Sequence, residues 1–328
     1  MVFKTILKKI SPGRVKKEIE TTQKVKLPSE LQWWIKEYEK VGERDEFVWK
    51  LFLRAKQETD CVPSAEIHHK PLREVNFLIT MFVVLLDDIA DHGQNERLFN
   101  EVAKIVNTPD CVKFNEFNQK EKDCLFFIIK IWQRINQLII NSPRYEDLKD
   151  LFKYDVSQII NAMNHDRLIN KNYFMINKTD YWLYSPHTMQ FVINITANLM
   201  YSEYFDINEI KTIREIVWRA QKMARIGNCI STWEREVNQN DFTSGIIAYS
   251  LDSKILSLQD IMNKNQSEII KKIKESDIEN EFLQEWEKSY KKVFHLLKKG
   301  ESKTINGRKL LSGMKNLLAL ELISKKHK

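Results

Sequence analysis

Three carboxylates, Asp87, Asp88 and Asp91, close the stretch "FVVLLDDIADHGQN" at residues 82–95, directly after five apolar residues. On a helix they fall at i, i+1 and i+4, so Asp87 and Asp91 stack and Asp88 lies three positions from Asp91. Unscreened, such acids repel. Carboxylates gathered at the C-terminal end of an apolar helix, where the dipole disfavours anions, call for a cation. Mg²⁺ suits them, because it takes a few carboxylates and keeps its remaining positions for water and phosphate oxygens. The stretch "EDLKD" is an internal control, with Glu146, Asp147 and Asp150 at nearly the same spacing. It follows Ser142-Pro143 and opens a helix, where acids stabilise the positive dipole end and face solvent. A metal role is assigned only to the first cluster.

A second set lies in "RIGNCISTWEREVNQND". Asn228, Thr232 and Glu236 recur at i, i+4 and i+8, a stripe that drifts about 80° around one helix. An amide oxygen, a hydroxyl and a carboxylate are hard donors, matched to Mg²⁺ held together with substrate phosphates. Ser231 points elsewhere. Arg235, beside Glu236, is a candidate for charge-assisted bonds to the same phosphates.

The elements that must position these groups are helices. Glycine (8) and proline (7) are scarce in 328 residues, and apolar residues recur at helical spacing almost throughout. The pattern predicts helices near 30–42, 45–58, 66–91, 96–106, 118–141, 144–168, 179–202, 207–239, 245–252, 257–276, 279–299 and 306–326. No fixed-period repeat is visible, which argues against a solenoid. No run approaches a membrane span. Four cysteines without CxxC spacing read as reduced, mostly packed thiols of a cytosolic protein. The net charge of +7 is concentrated in residues 1–27, a basic arm expected to be solvated or to close over the site rather than to bind nucleic acid or a membrane. Residues 28–328 are read as one helical domain.

With both motifs in place, the chain resembles the class I terpene synthases, the microbial single-domain type in particular. "DDIAD" matches the family's DDxxD motif at Asp87, Asp88 and Asp91, and "NCISTWERE" matches (N/D)xxx(S/T)xxxE at Asn228, Thr232 and Glu236, in the family's order. The resemblance implies an all-α, single-domain, class I terpenoid synthase-like bundle around a central apolar cavity. It implies three Mg²⁺ ions held by these six residues, and a linear isoprenyl diphosphate, farnesyl or geranylgeranyl, that is ionised and cyclised. A homodimer is allowed by it; nucleic acid and stable membrane insertion are not expected.

Such chemistry needs aromatic faces to stabilise a carbocation and exclude water. Trp182 and Phe77 head the candidates, with Phe82, Tyr184, Phe191 and Trp233. Pro186 in "YWLYSPHTMQF" should break the helix over 179–202 and leave carbonyls free, with His187 a structural histidine beside the break. In the family this broken helix carries a diphosphate-sensing arginine. Here none stands between Thr179 and Asn194, so diphosphate recognition is expected to fall to Arg225, Arg235 or Lys and Tyr residues elsewhere, and the C-terminal Arg-Tyr doublet of microbial members is also missing. Asp241 or Thr243 should cap the following helix, with Gly245 as a flexible joint. A chain-elongating prenyl diphosphate synthase would need a second aspartate cluster where Asn228, Thr232 and Glu236 stand. A non-catalytic helical scaffold would explain the helices but neither motif.

Overall fold

Helix-favouring composition is expressed as sixteen α-helices, with no strand among the described residues. The computed structural model describes residues 1–8, 10–92, 95–300 and 302–324; the side chains of Pro12, Asp91, His92 and Ser324 lie outside it. In chain order the helices are α1 (Val2–Lys8), α2 (Pro12–Gln23), α3 (Ser29–Tyr38), α4 (Glu46–Thr59), α5 (His69–His92), α6 (Glu96–Ile105), α7 (Gln119–Ile140) and α8 (Tyr145–Lys171). They continue as α9 (Lys178–Tyr184), α10 (Phe191–Met200), α11 (Ile210–Asn238), α12 (Gly245–Asp252), α13 (Leu258–Met262), α14 (Gln266–Lys274), α15 (Ile278–Lys298) and α16 (Gly307–Ser324). No described helix is long and apolar enough to cross a membrane.

Burial sorts these helices. Residues 75–83 of α5 and every residue of α10 are buried, as expected of helices apolar all round. α5 packs on α7, α8 and α10; α11 packs on α10, α15 and α16; α16 closes the circle onto α4. α8 and α10 therefore join the two helices that carry the motifs.

Two polar tiers fix the alignment of the bundle. In the lower tier Asn76 of α5 donates to Asn198 Oδ1 of α10 at 2.9 Å, and Lys56 of α4 donates to the same oxygen at 3.2 Å. Thr196 of α10 donates to Asp155 of α8 at 2.6 Å, and Asp155 also takes two bonds from Arg214 of α11, at 3.0 and 2.8 Å. Eleven residues on in each helix (76 to 87, 155 to 166, 214 to 225) stand Asp87, Asp166 and Arg225. The Arg225 charge acts on both of those carboxyls. α5, α8 and α11 thus run in the same direction, with the upper tier about 17 Å above the lower.

Two departures from the sequence expectation, and one break that it foresees, have local causes. The segment 257–276 is two helices, because Lys264 adopts a left-handed φ of 50° and Asn265 caps α14 by accepting from Glu268 N–H. The helix expected over 179–202 is interrupted, as Pro186 predicts, by a 3₁₀ turn at Ser185–Met189 and by Gln190 at φ 52°. The basic arm is helical and docked. Phe3 and Ile6 are buried, Glu287 Oε2 accepts from the Val2 and Phe3 N–H groups at 2.7 and 3.3 Å, and Arg54 pairs with Glu18 of α2. α2 starts where Ser11 caps it ahead of Pro12.

Candidate active site

The carboxylates of α5 reach the upper tier because the helix is apolar from Phe77 to Leu86 save for Thr80 and turns acidic one residue later. Asp88 Oδ1 accepts from Arg44 Nη2 at 2.7 Å and Nε at 3.0 Å, while its Oδ2 accepts from Tyr38 OH at 3.3 Å. Asp87 Oδ2 lies 3.5 Å from Arg44 Nη2. The Asp87 side chain is 42% accessible, yet the protein around it still withholds much of its hydration. Burial pushes its pKa up to about 6 against the opposing charge of Arg44, with Asp88 adding to the rise. The Asp91 side chain lies outside the described residues. Among the described side chains, no three carboxylates, imidazoles or thiols converge on one point.

On α11 the stripe is positioned by its own helix. Thr232 Oγ1 donates to Asn228 O at 2.9 Å, and Asn228 Oδ1 accepts from Arg225 Nη1 at 2.9 Å. Glu236 is 8% exposed and its Oε2 has no hydrogen-bond partner among the described residues. Burial, then repulsion from Asp241, raises its pKa to about 7, with Arg225, Thr232 and Arg235 acting the other way. Ser231 does point elsewhere, donating to Glu321 Oε2 of α16 at 2.9 Å.

Arg225 joins the parts. Besides Asn228 it donates from Nε to Ser185 Oγ at 2.9 Å, on the 3₁₀ turn of the broken helix. It is buried, and its charge lowers Asp87, Asp166 and Glu236 against the desolvation that raises them. The charge of Arg225 therefore acts on carboxyls of both motifs.

Sequence reasoning missed Arg44, Tyr38 and Asp166, and took Asp241 or Thr243 for the cap of α12, whose N-cap is Ser244. Asp166 of α8 is buried and raised by desolvation, with His165 Nδ1 3.7 Å from its Oδ1. Asp241 Oδ1 accepts from Asn170 Nδ2 at 3.1 Å and from Thr243 N–H at 3.0 Å, which pins the segment after α11 to the end of α8. Gly245 is needed for close approach, not for flexibility: a Cβ there would fall 2.4 Å from Tyr181 and 2.6 Å from Phe282. The control cluster behaves as expected, with Glu146 paired to Lys149, Asp147 to Arg144, and Asp150 exposed.

The aromatic candidates are not brought to the carboxylates. Phe77 is fully buried against Trp49 and Phe52. Trp182 donates to Tyr249 OH at 3.0 Å, stacks on Phe282 and lies under Lys222 Nζ, on the side of α11 that faces α12 and α15. Phe82 and Trp233 are likewise core residues, whereas Tyr184 is partly accessible and stacks on His165.

No protein-family model and no curated protein matches the sequence. Solved structures do match in shape. Isoprene synthase from grey poplar leaves superposes with a TM-score of 0.56 at 16% identity, over 94% of this chain and 52% of that one. The same enzyme in complex with three Mg²⁺ ions and dimethylallyl-S-thiolodiphosphate matches with a TM-score of 0.56 at 16% identity, over 95% and 54%. The fold is a terpene synthase helical fold. The chain spans about half the length of the structures it matches.

Within the terpene synthase fold, the donor set fits a hard divalent cation. Every candidate ligand offers oxygen, Glu236 Oε2 is buried without a partner, and the Asp87–Asp88 pair already binds a cation, the Arg44 guanidinium.

Proposed function

We propose that the chain is a Mg²⁺-dependent class I terpene synthase of the microbial single-domain type, which ionises a linear isoprenyl diphosphate and cyclises the resulting carbocation. The carrying observation is Arg225, which bonds Asn228 of one motif, acts on Asp87 of the other, and is anchored on Ser185 of the helix break. Residues 28–328 form the catalytic domain in this reading, with the arm of residues 1–27 docked on its flank.

Asp87, Asp88 and Asp91 on one side and Asn228, Thr232 and Glu236 on the other would hold the metal. When bound there, Mg²⁺ would neutralise the charge that develops on the departing diphosphate. Arg225 and Arg235 add donors at the same end, and Arg225 takes the place of the arginine absent from the break. Being buried and held by Ser185, its guanidinium is already oriented and needs little reorganisation as charge develops. The 3₁₀ turn at Ser185–Met189 brings irregular backbone to this tier, where free carbonyls favour positive charge. Below it, the apolar faces of α5 and α10 exclude water from the cation. Phe77 supports this wall from behind, on the α4 side, while Trp182 packs against α12 and α15.

The test is incubation with geranyl, farnesyl and geranylgeranyl diphosphates in Mg²⁺, measuring released diphosphate and identifying products by gas chromatography and mass spectrometry. Cyclic hydrocarbons or alcohols made only with metal are the expected result. Absence of diphosphate release from all three would overturn the proposal.

A further inference from the structure

Arg44 stands in the turn between α3 and α4, and both its backbone and its side chain are held at the carboxylate pair. Tyr38 OH accepts from Arg44 N–H at 3.2 Å and donates to Asp88 Oδ2 at 3.3 Å. The guanidinium places Nη2 and Nε at 2.7 and 3.0 Å from Asp88 Oδ1, and Nη2 3.5 Å from Asp87 Oδ2. Both oxygens of Asp88 and one of Asp87 are thus occupied by protein donors. These are the lone pairs a divalent cation would need. The Arg44 side chain is 27% exposed and comes from a turn rather than a helix, so it is free to swing away once its partners are taken.

Metal and guanidinium are therefore alternatives at one pair of acids. A cation arriving alone must break charge-assisted bonds and leave Arg44 without an anion. If a diphosphate arrives with it, the released guanidinium gains phosphate oxygens in place of the carboxylates. We propose that Arg44 is the resident counterion of Asp87 and Asp88, and that its exchange onto a diphosphate makes metal and diphosphate binding cooperative. By linkage, each ligand then tightens the other by the same factor. The inference rests on the reading of Asp87 and Asp88 as metal ligands.

The experiment measures Mn²⁺ binding to the full chain by electron paramagnetic resonance, with and without inorganic diphosphate and with no prenyl substrate. Complexation of Mn²⁺ by diphosphate in buffer is subtracted. In the wild type, diphosphate should tighten Mn²⁺ by about 10-fold or more, within the usual range of allosteric couplings. Arg44→Gln should bind Mn²⁺ alone about 10-fold tighter than wild type, and its gain from diphosphate should fall to about 3-fold or less. Arg44→Lys keeps the charge but loses the fork and should fall between the two, which retains the test if the glutamine variant folds poorly. If the folded variants bind Mn²⁺ alone no tighter than wild type, the counterion role is overturned. The Asp87→Asn/Asp88→Asn double variant separates the two readings. Loss of its Mn²⁺ site supports the ligand assignment, whereas wild-type binding overturns that assignment whatever Arg44 does.

Discussion

Arg225 Nε donates to Ser185 Oγ at 2.9 Å, a bond that ties the middle of α11 to the first residue of the 3₁₀ turn. The two residues are forty positions apart in sequence. A buried guanidinium has five donors to satisfy and a large desolvation cost, so each fixed acceptor also fixes its direction. Through Asn228 and Ser185 it is aimed by two polar groups on different helices.

Ser185→Ala removes one of these acceptors without changing charge or bulk much. It should cost about 1 to 3 kcal/mol in stability, the worth of a bond to a charged group, and lower diphosphate release about 10-fold. Thermal unfolding and a released-diphosphate assay check both. Wild-type turnover with a lowered Tm would leave the bond a structural one only.

Glu236→Gln keeps size but replaces a hard anionic ligand by an amide. Turnover should fall about 100-fold and recover in part at raised Mg²⁺. Asp150→Asn, in the exposed control cluster, should change neither rate nor metal dependence. Equal behaviour of the two variants in a Mg²⁺ titration of rate would remove Glu236 from the site.

His187 gives a pH dependence away from the proposed metal ligands. Burial against Trp218 lowers its pKa to about 4, with Asp155 opposing and Arg214 assisting the shift. Above its ordinary value near 6.5 the imidazole is neutral folded or unfolded, and no stability is at stake. As pH falls from there toward 4 the unfolded chain takes up the proton first, so stability is lost, by up to about 3 kcal/mol. His187→Gln should lack this component, so its Tm should fall less than the wild type's between about pH 7.5 and pH 4.5. Parallel losses in the two proteins would show that His187 is not the source.

Phe3 tests the docking of the arm. Its ring is 1% exposed, and truncation to alanine should cost about 3 kcal/mol if α1 is part of the folded unit. Denaturant unfolding measures this. A loss under about 0.5 kcal/mol would mean that α1 docks only weakly in solution.

What could be read from the sequence was what local rules determine. Apolar periodicity located α5, α7, α8, α11 and α15 to within a few residues, and Pro186 marked the break. The Ser11-Pro12 start of α2 and the Asn263-Lys264-Asn265 turn before α14 carry legible cap and turn signals, which the basic charge of the arm and the apolar periodicity over 257–276 mask. Arg44 had no such signal: it lies between Glu43 and Asp45, forty-four residues from Asp88, and only the meeting of α3 and α5 brings it there. Asp166 and Asp241 became neighbours of the site through the alignment of α8 with α11, which no pattern in either segment records. Phe77 and Trp182 have the aromatic faces that a cation-lining cavity needs, but a helix has several faces, and theirs turn to α4 and α12.

If the proposed function holds, the lower tier sets a boundary condition for a hydrocarbon tail whose diphosphate is held at the upper one. Lys56, whose pKa burial lowers to about 8, Asn76, Asn198 and the Asp155–Arg214 pair form a hydrophilic layer beneath the apolar middle of α5 and α10. A tail stretched to full length would press methyl groups against ionic and amide surface and displace nothing in return. Doubling back keeps it among Leu, Val and Ile side chains. The bundle would thus behave as an end-stop that penalises outstretched conformers and crowds the far double bond toward the reactive end, so that the shape of the vessel biases the guest toward ring closure before any bond is broken.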